Sequence, residues 1–477
     1  MLFIEVVMNS QDRIENIINE MKKQNFSTEK KANKKIDFKG ESKLYDAYRI
    51  ELSDLIYNVN NGRIMSLVES EESFGNPVDP ETPEGKKKIE DFLWRSNEKR
   101  NEKTLEDIAD NQQREIGIIT RDGIIIDGNR RAMLLNMLKK ERFLCAVLDV
   151  TYEEDPKEIQ RLETQYQIGE DGKVDYPAIE KYLKTARHIA NGDSPEKIAE
   201  LMNVDEEEIK KNLKIKETMD QYLEYFEYGK AMVRLEKRED AFIAVTNWVD
   251  KFTNNPQSLD AFQGFRQTDV IDLKTICFHY IRAIYQITGQ MTWQDFRKVA
   301  RGRRENQFFG DEEIWRTFAQ EHFNVIEKML DEEEDIRDVL DSPNVEKALE
   351  SRDQKFADKS IDHLYENFNN GLRKLERNQN INEPKKNIRE GFDDIKSALD
   401  KSKKLLTSED EDKLNELATM ILNSHDDSLL RQLKQLSSLS KNINLENIDE
   451  AQEDKNEIRN EVESLKKFIF DLSKRVK

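Results

Sequence analysis

The spacing of apolar side chains divides this chain into a mixed front part and a helical remainder. "RIENIINEMKKQ" repeats its apolar positions at helical spacing, and the lysine-rich stretch after it, to about residue 40, reads as a linker. "YRIELSDLI" (48–56) alternates like a strand and then turns. "SFGNPVDPETPEGKKKIE" (73–90) holds three of the nine prolines and reads as a loop or insertion. "KTLEDIADNQQREIG" (103–117) has the pattern of an amphipathic helix ending near Gly117. Two β-branched runs, "IIT" and "GIIID", flank Arg121-Asp122-Gly123, and Asp-Gly between such runs is a hairpin signal. "RRAMLLNMLKK" then reads as a helix and "RFLCAVLDV" as a buried strand. From residue 157 the strand signals fade. "EIQRLETQYQ", "YPAIEKYLKTARHIANG" and "SPEKIAELMNVDEEEIKKNLKIKETMDQYLEYF" are helical by period, and Ser194 before Pro195 is a helix start. Beyond about 330 the chain is highly charged, and no strict heptad persists, so long helices and a coiled coil both remain open. The expected architecture is α+β: a small α/β domain at the N-terminal side, then a large all-helical region. The expected segments are a helix and linker (1–47), the α/β domain (48–150), a helix-turn-helix-like pair (151–226), a helical domain (227–330) and a charged helical C-terminal region (331–477).

Composition narrows the partners. Of 477 residues, 36% are hydrophobic and 36% charged, and the net charge is −20. Bulk electrostatics therefore oppose a polyanion, and nucleic-acid contact requires a local basic patch. Cys145 and Cys277 sit in apolar contexts and read as buried thiols of a reducing compartment. The five histidines lack zinc-ligand spacing. "MLFIEVVM" lacks a basic leader and a cleavage site, so a signal peptide is not expected. No apolar run approaches the roughly 20 residues of a membrane span. A cytoplasmic protein without membrane contact is expected.

The chemistry concentrates in Asp127-Gly128-Asn129-Arg130-Arg131, where a strand gives way to a helix. Glycine lets backbone approach a ligand closely, and the first helical turn offers unpaired N–H groups and a positive dipole end. Arginine forks suit phosphate oxygens, and Asn129 offers an amide to orient a ligand. The alternative is that Asp127 caps the helix and the arginines pair with surface carboxylates. The pentapeptide alone does not choose. A second basic stretch, "FRKVARGRR", carries Arg297, Lys298, Arg301, Arg303 and Arg304 near Trp293, Phe296, Phe308 and Phe309. Basic residues among aromatics suit a nucleic-acid contact; a solvated helix end, or a dock for acidic runs, is the favoured alternative. His279 reads as a core histidine, and no Ser-His-Asp or Cys-His arrangement is legible.

The order of the helix "LEDIADNQQREIGI", hairpin, glycine, paired arginines and helix resembles the ParB/sulfiredoxin-like superfamily. "YRIELSDLIYNVNNGRI" is similar to the opening ParB strand and its arginine-bearing loop, here ending at Arg63. Glu163-Thr164-Gln165-Tyr166-Gln167 falls where ParB proteins carry Glu-Asn-x-x-Arg, and "SPEKIAELMNVDEEEIKKNLKI" where they carry a helix-turn-helix. The resemblance spans about residues 48–226. It implies phosphate binding by Gly128, Asn129, Arg130, Arg131 and Arg63, with Asp127 or Glu163 as catalytic carboxylate, and a nucleoside triphosphate with magnesium as cofactor. It implies a bacterial or phage protein of DNA transactions or anti-phage defence, with DNA as partner, acting as a CTPase or ATPase. A metal-dependent nuclease on the same fold is one alternative. A non-enzymatic adaptor, with protein partners or self-association through the helical C-terminal half, is the other. Three features depart from the pattern: Gly-Asn-Arg-Arg replaces Gly-Glu-Arg-Arg, Glu163-Thr164 replaces Glu-Asn with "IGEDGKVDY" as an insertion, and the 73–90 segment enlarges the unit. In the helix-turn-helix, Asp205-Glu206-Glu207-Glu208 opens the second helix, ahead of Lys210, Lys211, Lys214 and Lys216. Carboxylates there repel phosphates, so a pair built for packing is expected over a DNA reader.

Overall fold

The computed structural model describes residues 9–26, 32–170, 178–287, 289 and 291–402, and positions 413, 463, 466 and 467. The chain divides into two compact units, Met1–Asn382 and Glu383–Lys477. The apolar N-terminal octapeptide, most of "IGEDGKVDY" and nearly all of the chain beyond residue 402 lie outside the described residues.

The stretch read as a linker contains a strand, β1 (Asn33–Phe38). Its burial alternates: Ile36 is fully buried and Lys34 and Phe38 half-buried on one side, while Asn33, Lys35 and Asp37 are exposed on the other. A two-residue turn follows at Lys39-Gly40, both at positive φ (56° and 76°). That is the primed turn whose twist matches a hairpin. β2 (Glu41–Glu51) pairs antiparallel with β1 and with β5 (Arg142–Val147). β5 runs parallel to β3 (Gly117–Ile119), which pairs antiparallel with β4 (Ile125–Asp127). The order is β1-β2-β5-β3-β4, curled into a half-barrel. Lys34 of β1 reaches across the opening of the curl, its Nζ donating to the Ile116 carbonyl (2.8 Å) and to Asp127 Oδ2 (3.2 Å).

Strand alternation gives the sheet two apolar faces. Tyr48, Ile50, Ile119, Ile125, Phe143 and Cys145 share a core with Ile17, Phe92, Ile108 and Leu134. Those four come from α1 (Ser10–Asn25), α3 (Pro83–Arg95), α4 (Glu98–Asn111) and α5 (Asn129–Met137). On the other face Ile36, Ile118, Ile126 and Ala146 meet Ile159, Leu162 and Tyr166. These belong to α6 (Pro156–Thr164) and to the π-turn after it (Gln165–Glu170). The proline-rich stretch expected as a loop is half helix. Thr82 caps α3 by accepting from the Gly85 N–H, and Pro83 takes the first turn, where its missing donor is harmless. A further helix, α2 (Met65–Ser73), precedes it and faces both cores: Val68 packs with the sheet core, Met65 with the helical one.

The rest of the first unit is helical: α7 (Ala178–Ala190), α8 (Pro195–Met202), α9 (Glu206–Tyr225), α10 (Glu239–Asn254), α11 (Gln267–Ile284), α12 (Trp293–Phe296), α13 (Glu312–Asp331), α14 (Ile336–Leu340) and the start of α15 (Val345–Ser402). An aromatic-rich core, ending at Leu375, joins all of these but α8, which packs in a small cluster of its own with Ile209. Asp353 of α15 is fully buried. It accepts from Arg282 Nε (2.8 Å), Arg234 and Tyr228, fastening α15 to the bundle. Burial raises that carboxyl, but Arg234 and Arg282 outweigh burial and hold it below the usual range. Among the described residues, no helix is long and apolar enough to cross a membrane.

Candidate functional site

The turn from β4 into α5 carries the arginine pair. Gly128 has φ 106°, a left-handed conformation, and a Cβ there would stand 2.7 Å from Phe143 Cζ. The fold itself therefore requires glycine here. Asn129 is 2% exposed. Its Nδ2 donates to the Ile125 carbonyl (2.9 Å), and its Oδ1 accepts from the Asn58 N–H (2.9 Å). Its amide thus stitches a distant loop to the helix start. Arg131 donates through Nη2 to Asp127 Oδ2 (2.8 Å) and through Nη1 to the Glu115 carbonyl (2.7 Å). Burial pushes the Asp127 carboxyl up, but Arg131 and Lys34 outweigh burial and hold it below the ordinary carboxylate range. Arg130 lies half-buried in the first turn of α5.

The stitched loop is Asn58–Arg63. Asn58 Oδ1 accepts from the Asn60 N–H (2.9 Å), and Asn61 Oδ1 accepts from the Arg63 N–H (3.0 Å). Asn60 donates to the Tyr152 hydroxyl (3.0 Å) and accepts from Arg187 Nη1 (2.8 Å). The Gly62 N–H donates to Gln167 Oε1 (3.0 Å), and Gln167 Nε2 donates to Glu163 Oε1 (2.8 Å). Lys184 Nζ stands 3.4 Å from the same oxygen. The Asn58–Arg63 loop thus meets the 127–131 turn through Asn129 and the 163–167 segment through Gln167. Tyr152, Lys184 and Arg187 join them and were missed. Lys184 shares the buried stripe of Ile179, Tyr182 and Leu183, and a lysine in an apolar stripe is the only signal that marks it.

The two carboxylates do not fit magnesium as placed. Asp127 faces Lys34 and Arg131, and Glu163, 1% exposed, faces Gln167 and Lys184. Asp127 Oδ2 and Glu163 Oε1 already have cationic or amide partners, which a metal ion would have to displace. Among the described residues, no three His, Cys, Asp or Glu side chains are grouped to hold an ion.

Two other features bear on chemistry. Thr164, His188 and Asp193 form a hydroxyl–imidazole–carboxylate line, with Oγ1 to Nε2 at 2.8 Å and Nδ1 to Oδ2 at 2.7 Å. All three are buried, and Arg161 also engages Asp193, so the line is a helix staple closed to substrate. The second basic stretch lies apart, in the helical region. Arg297 pairs with Asp240 (3.7 Å), and Arg304 Nε donates to the Gly310 carbonyl (3.0 Å). Lys298, Arg301, Arg303 and Arg304 are exposed, but Trp293, Phe296, Phe308 and Phe309 are buried in the helical core and offer no stacking surface. In the helix-turn-helix-like pair, Ile198, Met202 and Ile209 pack together across a left-handed Asn203. Lys210 pairs with Glu206 and Glu207, Lys214 with Asp250, and Lys216 with Asp220.

No protein-family model matches this chain, and no curated protein matches its sequence.

Proposed function

We propose that the N-terminal unit is a ParB/sulfiredoxin-like phosphate-binding module, taking the phosphates of a nucleoside triphosphate or of DNA between the Asn58–Arg63 loop and the start of α5. The carrying observation is the Asn129 stitch. It ties the loop bearing Arg63 to the helix turn bearing Arg130, while Gln167 ties the same loop to Glu163. Two arginine-bearing segments beside a helix N-terminus suit an oxyanion. Arg131 has a different part in this reading, because Asp127 and Glu115 already hold it. The internal pairing of Asp127 and Glu163 favours binding over metal-assisted hydrolysis, and so weakens the nuclease alternative. The same pairing favours, as a second reading, an adaptor whose core senses phosphate without turning it over.

The test is a titration of CTP, ATP, GTP and duplex DNA, with and without magnesium, on wild type and on Arg63→Ala, Arg130→Ala and Arg131→Ala. Charge-assisted contacts are worth about 1.5–3 kcal/mol, or roughly ten-fold to over a hundred-fold in affinity. Arg63→Ala and Arg130→Ala are expected to weaken binding at least tenfold with little change in unfolding midpoint. Arg131→Ala is expected to act mainly on stability. Wild type that binds none of the four ligands would leave the adaptor without a phosphate signal and end this reading.

A further inference from the structure

Behind the Asn58–Arg63 loop lies a polar array in which Glu163 is joined by Lys184 and Glu180, two residues that no motif in the sequence marks. Glu163, Lys184 and Glu180 are 1%, 2% and 0% exposed, so two carboxylates and one ammonium share an interior without solvent. Such a group is costly unless its geometry is used. Its outward bonds all go to one short turn. Gln167, anchored on Glu163, accepts from the Gly62 N–H, and Glu180 Oε1 accepts from the Ser66 N–H (3.0 Å). Both ends of the Gly62–Ser66 turn thus hang from the array, and Arg63 lies between them. The groups around it are Glu69, held by Arg187 at 3.1 Å, and Glu236, which accepts from Ser66 Oγ at 3.2 Å. Burial raises the Glu180 carboxyl to about 8, against the pull of Ser66 and Lys184.

We infer that Gln167 and Lys184 are positioning residues, which hold the Gly62–Ser66 turn so that Arg63 is presented to the phosphate site. This rests on the phosphate-binding reading above. Lys184 acts by pairing with Glu163 and holding it in place, Glu163 orients the Gln167 amide, and the amide fixes the Gly62 N–H. A residue acting only through Arg63 loses its effect once Arg63 is gone, whereas a merely structural one does not.

The experiment uses the full chain and two readouts. The first is affinity for CTP, ATP and inorganic triphosphate in Gln167→Leu, Lys184→Met and Lys184→Arg, each alone and with Arg63→Ala. Gln167→Leu and Lys184→Met are expected to weaken binding about tenfold alone and less than twofold on the Arg63→Ala background. Lys184→Arg is expected to recover most of the loss. Additive losses on that background would overturn the inference. The second readout is hydrogen exchange of residues 58–66 against 142–147. In both variants the first segment is expected to exchange at least tenfold faster while the sheet segment stays protected. Should wild type bind no triphosphate, the phosphate reading falls, and exchange alone decides whether the array holds the turn; unchanged exchange would then overturn it. Gln167→Leu leaves no buried charge unpaired, so it carries both readouts if Lys184→Met does not fold.

Discussion

Gly128 carries two constraints in one position: a left-handed backbone at φ 106° and the Phe143 ring close beneath it. Adding a methyl group should cost about 1–2 kcal/mol for the backbone alone, with the ring contact on top. Gly128→Ala is therefore expected to lower the denaturant midpoint clearly. In Gly128→Ala/Phe143→Leu the ring part disappears, so the double substitution should cost less than the two single ones together. Strict additivity would show that the ring is not what excludes a side chain. Of the arginines beside this glycine, Arg131 is bound to Asp127 and Glu115, and Arg130 lies in the first turn of α5 next to Asn129, whose amide anchors the facing loop.

At the scale of elements, α7 responds to pH, because it carries two buried titrating groups with opposite shifts. His188 is lowered, by burial first, which the Asp193 carboxylate only partly offsets. The unfolded chain therefore binds the proton more readily. The contribution of His188 is present above its ordinary value of 6.5 and is lost as pH falls below it. Glu180 is raised, so its contribution is present below the ordinary 4.5 and is lost as pH rises through about 8. Equilibrium unfolding against pH is therefore expected to carry two opposing slopes: His188 adds a loss of stability as pH falls below 6.5, and Glu180 a loss as pH rises from 4.5 to about 8. His188→Gln should remove the first slope and Glu180→Gln the second, and two unaltered profiles would remove α7 from the explanation. Neither group was legible in the sequence, because both lie on a helix whose period announced only a buried stripe. The hairpin at Asp122-Gly123, the helix after Gly128 and the strand ending at Val147 were legible, since each pairs a clear period with a turn residue. β1 was not, because three lysines among the residues from 31 to 35 hid an alternation that only Ile36 and Phe38 complete. Within the site, residue types and chain order were readable. The pairing of Asp127 with Lys34 was not, since it depends on the sheet curling until its ends meet.

At the scale of the molecule, the helical core closes at Leu375, before the boundary at Asn382. Removing 383–477 should therefore leave the first unit folded, with its unfolding midpoint nearly unchanged. The charged helices expected in the removed part favour association, so light scattering should report a smaller assembly for the truncated chain than for the whole. Equal oligomeric states would assign association to the first unit instead. The Lys34 bridge has a consequence of another kind. An end strand ordinarily displays backbone N–H and carbonyl groups on which a neighbouring copy can template itself, the first step toward fibrils and precipitates. Here the two end strands of the sheet are laced by one ammonium group that grips the Ile116 carbonyl and Asp127. Lys34 thereby acts as a guard against aggregation, and Lys34→Ala should turn concentrated solutions turbid under conditions where the wild type stays clear.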